Sequence, residues 1–159
     1  MSAQTSYSIK QPKAYVGLVY AQAPHDIVSR DVETVAGIGF GVAVSRGTNL
    51  ERQIVAGGTT FTGITIRSLD KEGAANTGAI KWNEKEAAGI LRDGYIWAVC
   101  PTGCNPGDAV KYTNATGVID SGAAGVGETA LDGAQWDTVA AAGELAVIRL
   151  NSLNTTAGS

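Results

Sequence analysis

Few residues of this chain are equipped for chemistry, and their spacing does not assemble a reaction centre. His25, the single histidine, stands beside Asp26, and with Ser29 or Ser45 it offers the residue types of a nucleophilic triad. Such a triad needs a base oriented by a carboxylate from elsewhere and a nucleophile raised on a strained turn. No G-x-S-x-G occurs, so a polar loop histidine is the simpler reading. Glu84 and Glu86 have the residue types of a glycosidase pair, but two apart on a polar segment they read as one solvated face. Gly37-Ile38-Gly39-Phe40-Gly41 has the look of a dinucleotide fingerprint. It lacks the third-glycine spacing and runs into a strand pattern, whereas the fingerprint must open a helix. Residues 120–128 carry too few oxygens at ligand spacing for a calcium loop. Asn114-Ala115-Thr116 fits a glycosylation acceptor, which has meaning only in a secreted chain. The expectation is a protein that is not an enzyme and holds no cofactor or metal.

The two cysteines, Cys100 and Cys104, sit in CPTGC. That offset could close a small disulfide ring or supply half a metal site. Zinc wants about four ligands, and one histidine with no further cysteine cannot complete the set. Two reduced thiols at a strand end are expected, with a loop disulfide formed after cell lysis as the alternative. Trp82, Trp97 and Trp136 could stack sugars or bases. Trp97 and Trp136 fall in strand patterns and read as core. Trp82, on a polar segment, leaves a small carbohydrate-binding β-module as an alternative function.

The elements that must position these residues are strands. The chain has 159 residues, enough for one domain with a core, and 21 of them are glycine while only 17% are charged. That composition favours short strands and tight turns over helices. A net charge of −3 does not suit a phosphate backbone, so nucleic acid is not an expected partner. No apolar run approaches the roughly 20 residues of a membrane span. The polar start, MSAQTSYSIKQPK, lacks the apolar region of a secretory signal, so synthesis in a cytoplasm is expected.

Residues 1–13 read as an extended arm in which Tyr7 and Ile9 are isolated hydrophobes. Residues 15–20 are strand-like, and 21–30 read as an ordered excursion loop. Over 35–44, Ile38, Phe40, Val42 and Val44 alternate with Gly37, Gly39, Gly41 and Ala43. This predicts a strand with one bare face that a neighbouring layer or second copy must cover. Residues 59–67 form a second strand candidate behind Gly57-Gly58. Residues 79–91 mix helical and β-branched signals. Asp93-Gly94 suggests a hairpin over 87–99, with YIWAVC the strongest strand signal of all. Short strands follow at 109–113 and 118–119. Residues 129–142 have the alanine of a helix but the β-branched residues of a strand, and strand is favoured. Residues 144–150, apolar on both faces, predict a central strand. Turn signals about every ten residues point to an all-β sandwich or barrel.

The order of motifs resembles the tailed-phage capsid decoration, or head cement, proteins. After the polar arm come VGLVYAQAPHDIVSRDVE, IGFGVAVSRGT, FTGITIRS, DGYIWAV, PGDAVKYTNATGVI and GAQWDTVAAAGELAVIRL, together spanning Gly17 to Leu150. The CPTGC insert departs from that pattern. The resemblance implies a small β-sandwich or barrel-like (β-tulip-type) domain over 14–150, an extended N-terminal arm over 1–13 and a polar tail over 151–159. It also implies a homotrimer, or a dimer, bound to the major capsid protein on the outer surface of the head. There it would cement neighbouring subunits against internal DNA pressure. From their expected exposure, Tyr7, Ile9, Tyr15, Arg46 and Arg52 are candidate capsid contacts, and Gly37, Gly39 and Gly41 candidate oligomer contacts.

Overall fold

The computed structural model describes residues 14–20, 23–74 and 80–151, and over these the fold is all-β. The strands are β1 (Asp26–Val32), β2 (Ile38–Gly39), β3 (Ala43–Arg46), β4 (Gln53–Ala56), β5 (Phe61–Thr65) and β6 (Lys81–Trp82). They continue with β7 (Ala87–Cys100), β8 (Ala109–Thr113), β9 (Ile119–Ser121), β10 (Glu128–Trp136) and β11 (Glu144–Leu150). A short 3-10 helix, Leu69–Ala74, interrupts them. The proposed arm over 1–13 and nearly all of the tail lie outside the described residues.

The 14-residue β7 is the spine. Its first half closes a five-stranded ring in the order β1-β4-β3-β5-β7, because β1 pairs with both β4 and β7. Closure removes exposed edges, and the one parallel pair, Val32 against Ile54, is what lets β1 come round. Its second half pairs with β11 from Gly94↔Leu150 to Cys100↔Glu144, and the sheet continues through β10, β8 and β9. One strand therefore belongs to a small barrel and to a second sheet.

Two cores follow from this division. Inside the ring, Val32, Val44, Ile54, Ala88 and Ile90 pack with Ile38, Phe40 and Trp82. Gly63 faces this interior, and a Cβ there would lie 2.4 Å from the Ile90 side chain and 2.5 Å from the Leu91 carbonyl. The Trp82 ring meets Phe40 edge-on at 6.0 Å, and its Nε1 donates to the Ile66 carbonyl at 3.0 Å. Outside the ring, Ala43, Ile64 and Leu91 pack with Ile96, Val110, Tyr112, Trp136 and Ile148 of the second sheet.

Several expectations are corrected. Residues 35–44 are not one strand: β2 ends at Gly39, and a turn at Phe40 and Gly41 precedes β3. Gly37 and Gly41 adopt left-handed φ values of 76° and 68°, so the alternation records turn geometry. The hairpin about Asp93-Gly94 does not form. Asp93 pairs with Asp26 and Gly94 with Leu150, so the strand runs straight through. Ala88, Ile90 and Leu91 are buried, Arg92 is exposed, and alternation resumes through Gly94, Ile96, Ala98 and Cys100, with a register shift between Asp26 and Ile27 accompanying the irregularity. The excursion loop contains β1. Residues 15–20 make a turn and a single bridge, Val19↔Ile96, rather than a strand. The favoured strand over 129–142 stops at Trp136.

Candidate functional site

The residues singled out for catalysis do not converge. His25 is exposed, with Nδ1 3.1 Å from the Ala23 carbonyl, whereas Ser45 is buried against the second sheet. Asp26 faces Arg92 at 3.6 Å. Glu84 and Glu86 enter separate ion pairs, with Lys85 at 3.8 Å and Lys71 at 2.5 Å. The Lys71 ammonium and the Asn83 amide hold the Glu86 carboxyl down at about 2. Cys100 and Cys104 are free, buried thiols. Burial, then the neighbouring Cys100 sulfur, pushes Cys104 up to about 12, far from a reactive thiolate. Their loop is fastened by Asp120, whose Oδ1 accepts from Thr102 Oγ1 at 2.6 Å and from the Ser121 amide at 2.8 Å. Among the described residues no group of three or more His, Cys, Asp or Glu could hold a metal. Trp82 is 8% exposed, so its ring offers no platform for a sugar.

What the fold does present is an aromatic face. On the second half of β7, Ile96, Ala98 and Cys100 point into the core, so Tyr95, Trp97 and Val99 point the other way. Residues 17–20 run beside them as an added edge. Gly17 N donates to the Trp97 carbonyl at 2.8 Å, Trp97 N to Leu18 O at 2.9 Å, and Tyr20 N to Tyr95 O at 2.8 Å. Val19 turns inward, which leaves Leu18 and Tyr20 on the outer side. The Tyr20 ring lies 6.3 Å from Tyr95 and 5.9 Å from Trp97. Arg67 stands 4.9 Å over the Tyr15 ring and 5.4 Å over Phe40. Tyr15, Leu18, Tyr20 and Val99 remain 52%, 37%, 46% and 39% exposed. The chain has five tyrosines, and three of them gather here with Trp97. A contiguous aromatic patch of this kind is suited to docking, since large rigid rings bury much area at small entropic cost.

The candidate contacts divide. Tyr15 belongs to this face, while Tyr7 and Ile9 lie outside the described residues. Arg46 and Arg52 flank the β3–β4 connection. Arg46 Nη1 donates to the Leu50 carbonyl at 2.7 Å, and the Arg52 amide reaches Asn49 Oδ1 at 3.2 Å. Thr48 donates from both its amide and its hydroxyl to Glu33, which holds that carboxyl below its usual range. The connection is thereby fixed, but Arg46 turns toward a cleft shared with Arg30 and Arg92, away from Tyr15. A Cβ added at Gly37 would meet the Trp82 carbonyl and one at Gly41 the Val16 side chain, while the Gly39 carbonyl accepts from Thr65 Oγ1 at 2.7 Å and Gly39 pairs with Lys81, all within the same chain. Leu18, Tyr20 and Trp97 were not foreseen as contacts. Their signal was the alternation 18/20 and 95/97/99: Trp97 reads as core from its strand pattern, and residues 15–20 read only as strand-like.

The fold is thus a small closed barrel joined through one strand to a second sheet and bearing an aromatic face. A family model described as "Structural cement protein (E217 gp24/Pam3 gp6)" matches residues 3–151, and the chain belongs to that phage family. It is thus a structural protein of the phage capsid and a component of the virion. Among solved structures, a chain of "The capsid of Myoviridae Phage XM1" shares the fold with a TM-score of 0.75 at 16% identity. The match covers 97% of this chain and 100% of that one. A search of curated proteins finds no match.

Proposed function

We propose that this protein decorates the outside of the icosahedral head and cements neighbouring major capsid subunits, stabilising the shell against internal DNA pressure. The observation that carries this reading is the face on which exposed Tyr15, Leu18 and Tyr20, from the segment that residues 1–13 lead into, lie beside half-buried Trp97 of β7. A folded patch and a sequence-adjacent arm give each copy two contacts. Two modest contacts acting at high effective concentration hold more tightly than either alone. Closed assembly as a homotrimer, with a dimer as the alternative, would direct each copy's contacts to a different shell subunit and prevent open-ended growth. The rings and hydrophobes need a partner surface and no cofactor, and the chain acts without catalysis.

Cosedimentation of the purified protein with expanded heads lacking it tests this reading. Saturable binding that raises the heat resistance of the heads is expected, with sedimentation of the free protein as a trimer. Removing residues 1–13 should weaken head binding at least tenfold while leaving the melting temperature nearly unchanged. Equal binding by the shortened chain would remove the arm from the mechanism, and no binding by the full chain would remove the mechanism.

A further inference from the structure

A cleft of about 170 Å³ lies between the barrel and the second sheet. Arg30 of β1, Arg46 of β3 and Arg92 of β7 line it on the barrel side, facing Asp132 of β10. Its floor is apolar, with Leu131 and Leu150 each 4% exposed and Ala134 6% exposed. Arg46 is tied to the Leu50 carbonyl at 2.7 Å but to no carboxylate, and the other two arginines are poorly matched within the chain. Arg30 makes one weak contact, from Nη1 to the Ser29 carbonyl at 3.5 Å, and Arg92 reaches Asp26 at only 3.6 Å. No acidic side chain pairs with Arg30 or Arg46 among the described residues.

We infer that this cleft receives an acidic side chain, with an apolar neighbour, from the shell subunit that the protein binds. The inference rests on the cementing reading above and names the chemistry of the partner at a second surface. Guanidinium groups recognise carboxylates by paired, planar hydrogen bonds, and the apolar floor takes a hydrophobic side chain beside them. The volume sets the size of the guest. A cavity of roughly 150 Å³ admits a benzene-sized group, whereas cofactor and drug pockets begin at about 300 Å³. Charge disfavours the chain's own terminal segments: residues 1–13 carry Lys10 and Lys13 and no acidic side chain, and 152–159 carry no acidic side chain either. Three guanidinium groups against Asp132 in the lining and Asp26 beside Arg92 leave the cleft with an excess positive charge in a protein of net charge −3, which points to an acidic guest from outside.

Titration of the labelled protein with acetyl-Leu-Glu-Leu-amide, followed by NMR, tests the chemistry. Acetyl-Leu-Gln-Leu-amide and inorganic phosphate serve as controls. The acidic peptide should bind at least threefold more tightly than either control, shifting Arg30, Leu131 and Ala134, and the double variant R30Q/R92Q should lose that preference. A smaller preference, or phosphate binding as tightly, overturns the inference. On expanded heads R30Q/R92Q should bind about tenfold more weakly than the wild type, with unchanged sedimentation when free. Wild-type binding with a loss in the variant below threefold overturns the inference and leaves the cementing reading intact. A changed oligomeric state in the variant makes the guest a second copy and also overturns it. Failure of the wild type itself to bind heads refutes the cementing reading on which the inference stands.

Discussion

Tyr20→Ala is the substitution that separates binding from folding. Tyr20 is 46% exposed, and among the described aromatic residues its ring lies beside Tyr95 and Trp97. A tyrosine presents roughly 150–250 Å², so a partner covering the exposed part would remove about 70–115 Å² from water. At roughly 25 cal/mol per Å² this contributes about 2–3 kcal/mol for each copy, a change of about 30- to 150-fold in Kd. Within the folded chain the covered part of the side chain, about 80–135 Å², is lost as well and costs about 2–3 kcal/mol. Its ring contacts add about 0.5–1.5 kcal/mol, while the Tyr20 N to Tyr95 O bond at 2.8 Å is main chain and survives. At roughly 2–4 °C per kcal/mol for a chain of this size, Tm should fall by about 5–18 °C. Binding to expanded heads is therefore measured by cosedimentation at a temperature where Y20A is folded, over a range of protein concentrations, and should fall about 30- to 150-fold. Unchanged head affinity in a folded Y20A protein would show that the aromatic face is not the contact. A collapse in Tm beyond about 20 °C would show that Tyr20 is core, and the area argument would fail at its first step.

Three further outcomes follow from the packing and the electrostatics. Trp82→Ala should cost about 3–5 kcal/mol and lower Tm by roughly 10 °C, because it empties the end of the barrel and orphans the Ile66 carbonyl; a shift below 2 °C in thermal denaturation would contradict the burial argument. The Glu86 carboxyl titrates near 4.5 in the unfolded chain and near 2 in the folded one. Its contribution is therefore complete above 4.5 and lost as pH falls toward 2, so the Tm difference between wild type and Glu86→Gln should shrink over that window; a constant difference between pH 5 and pH 2 would count against the Lys71–Glu86 pair. Cys104, buried and held at about 12, should resist iodoacetamide at pH 8 in the native protein and react readily in denaturant, as read by mass spectrometry; rapid native alkylation would refute its burial.

The strand content was legible where side-chain parity and strand ends agreed. Residues 144–150 were readable as a central strand because Ala146, Val147 and Ile148 are apolar in succession, and β11 does lie between β7 and β10. The turn at 114–117 before β9 was readable from Asn114 and Gly117. The spine was not, because Asp93-Gly94 is a strong local turn signal that tertiary pairing overrides. Gly94 takes a φ of 122° inside a continuous strand, and the burial alternation itself breaks at Leu91 and Arg92, so no local pattern betrays the strand. Gly37 and Gly41 misled for a related reason: alternating glycine and hydrophobe looks the same whether the glycines line a strand face or make turns. The aromatic face needed three dimensions. Tyr20 and Trp97 are far apart in sequence, and their meeting depends on residues 17–20 pairing with the outer edge of β7.

The most direct test of the cementing account is a cryo-electron-microscopy reconstruction of expanded heads saturated with the protein. The account predicts density on the outer surface in which each copy spans two neighbouring capsid subunits, with Tyr15, Tyr20 and Trp97 at one contact and residues 1–13 at the other. Density confined to a single subunit, or lying inside the shell, or leaving the Tyr20 surface uncovered by capsid, would contradict it.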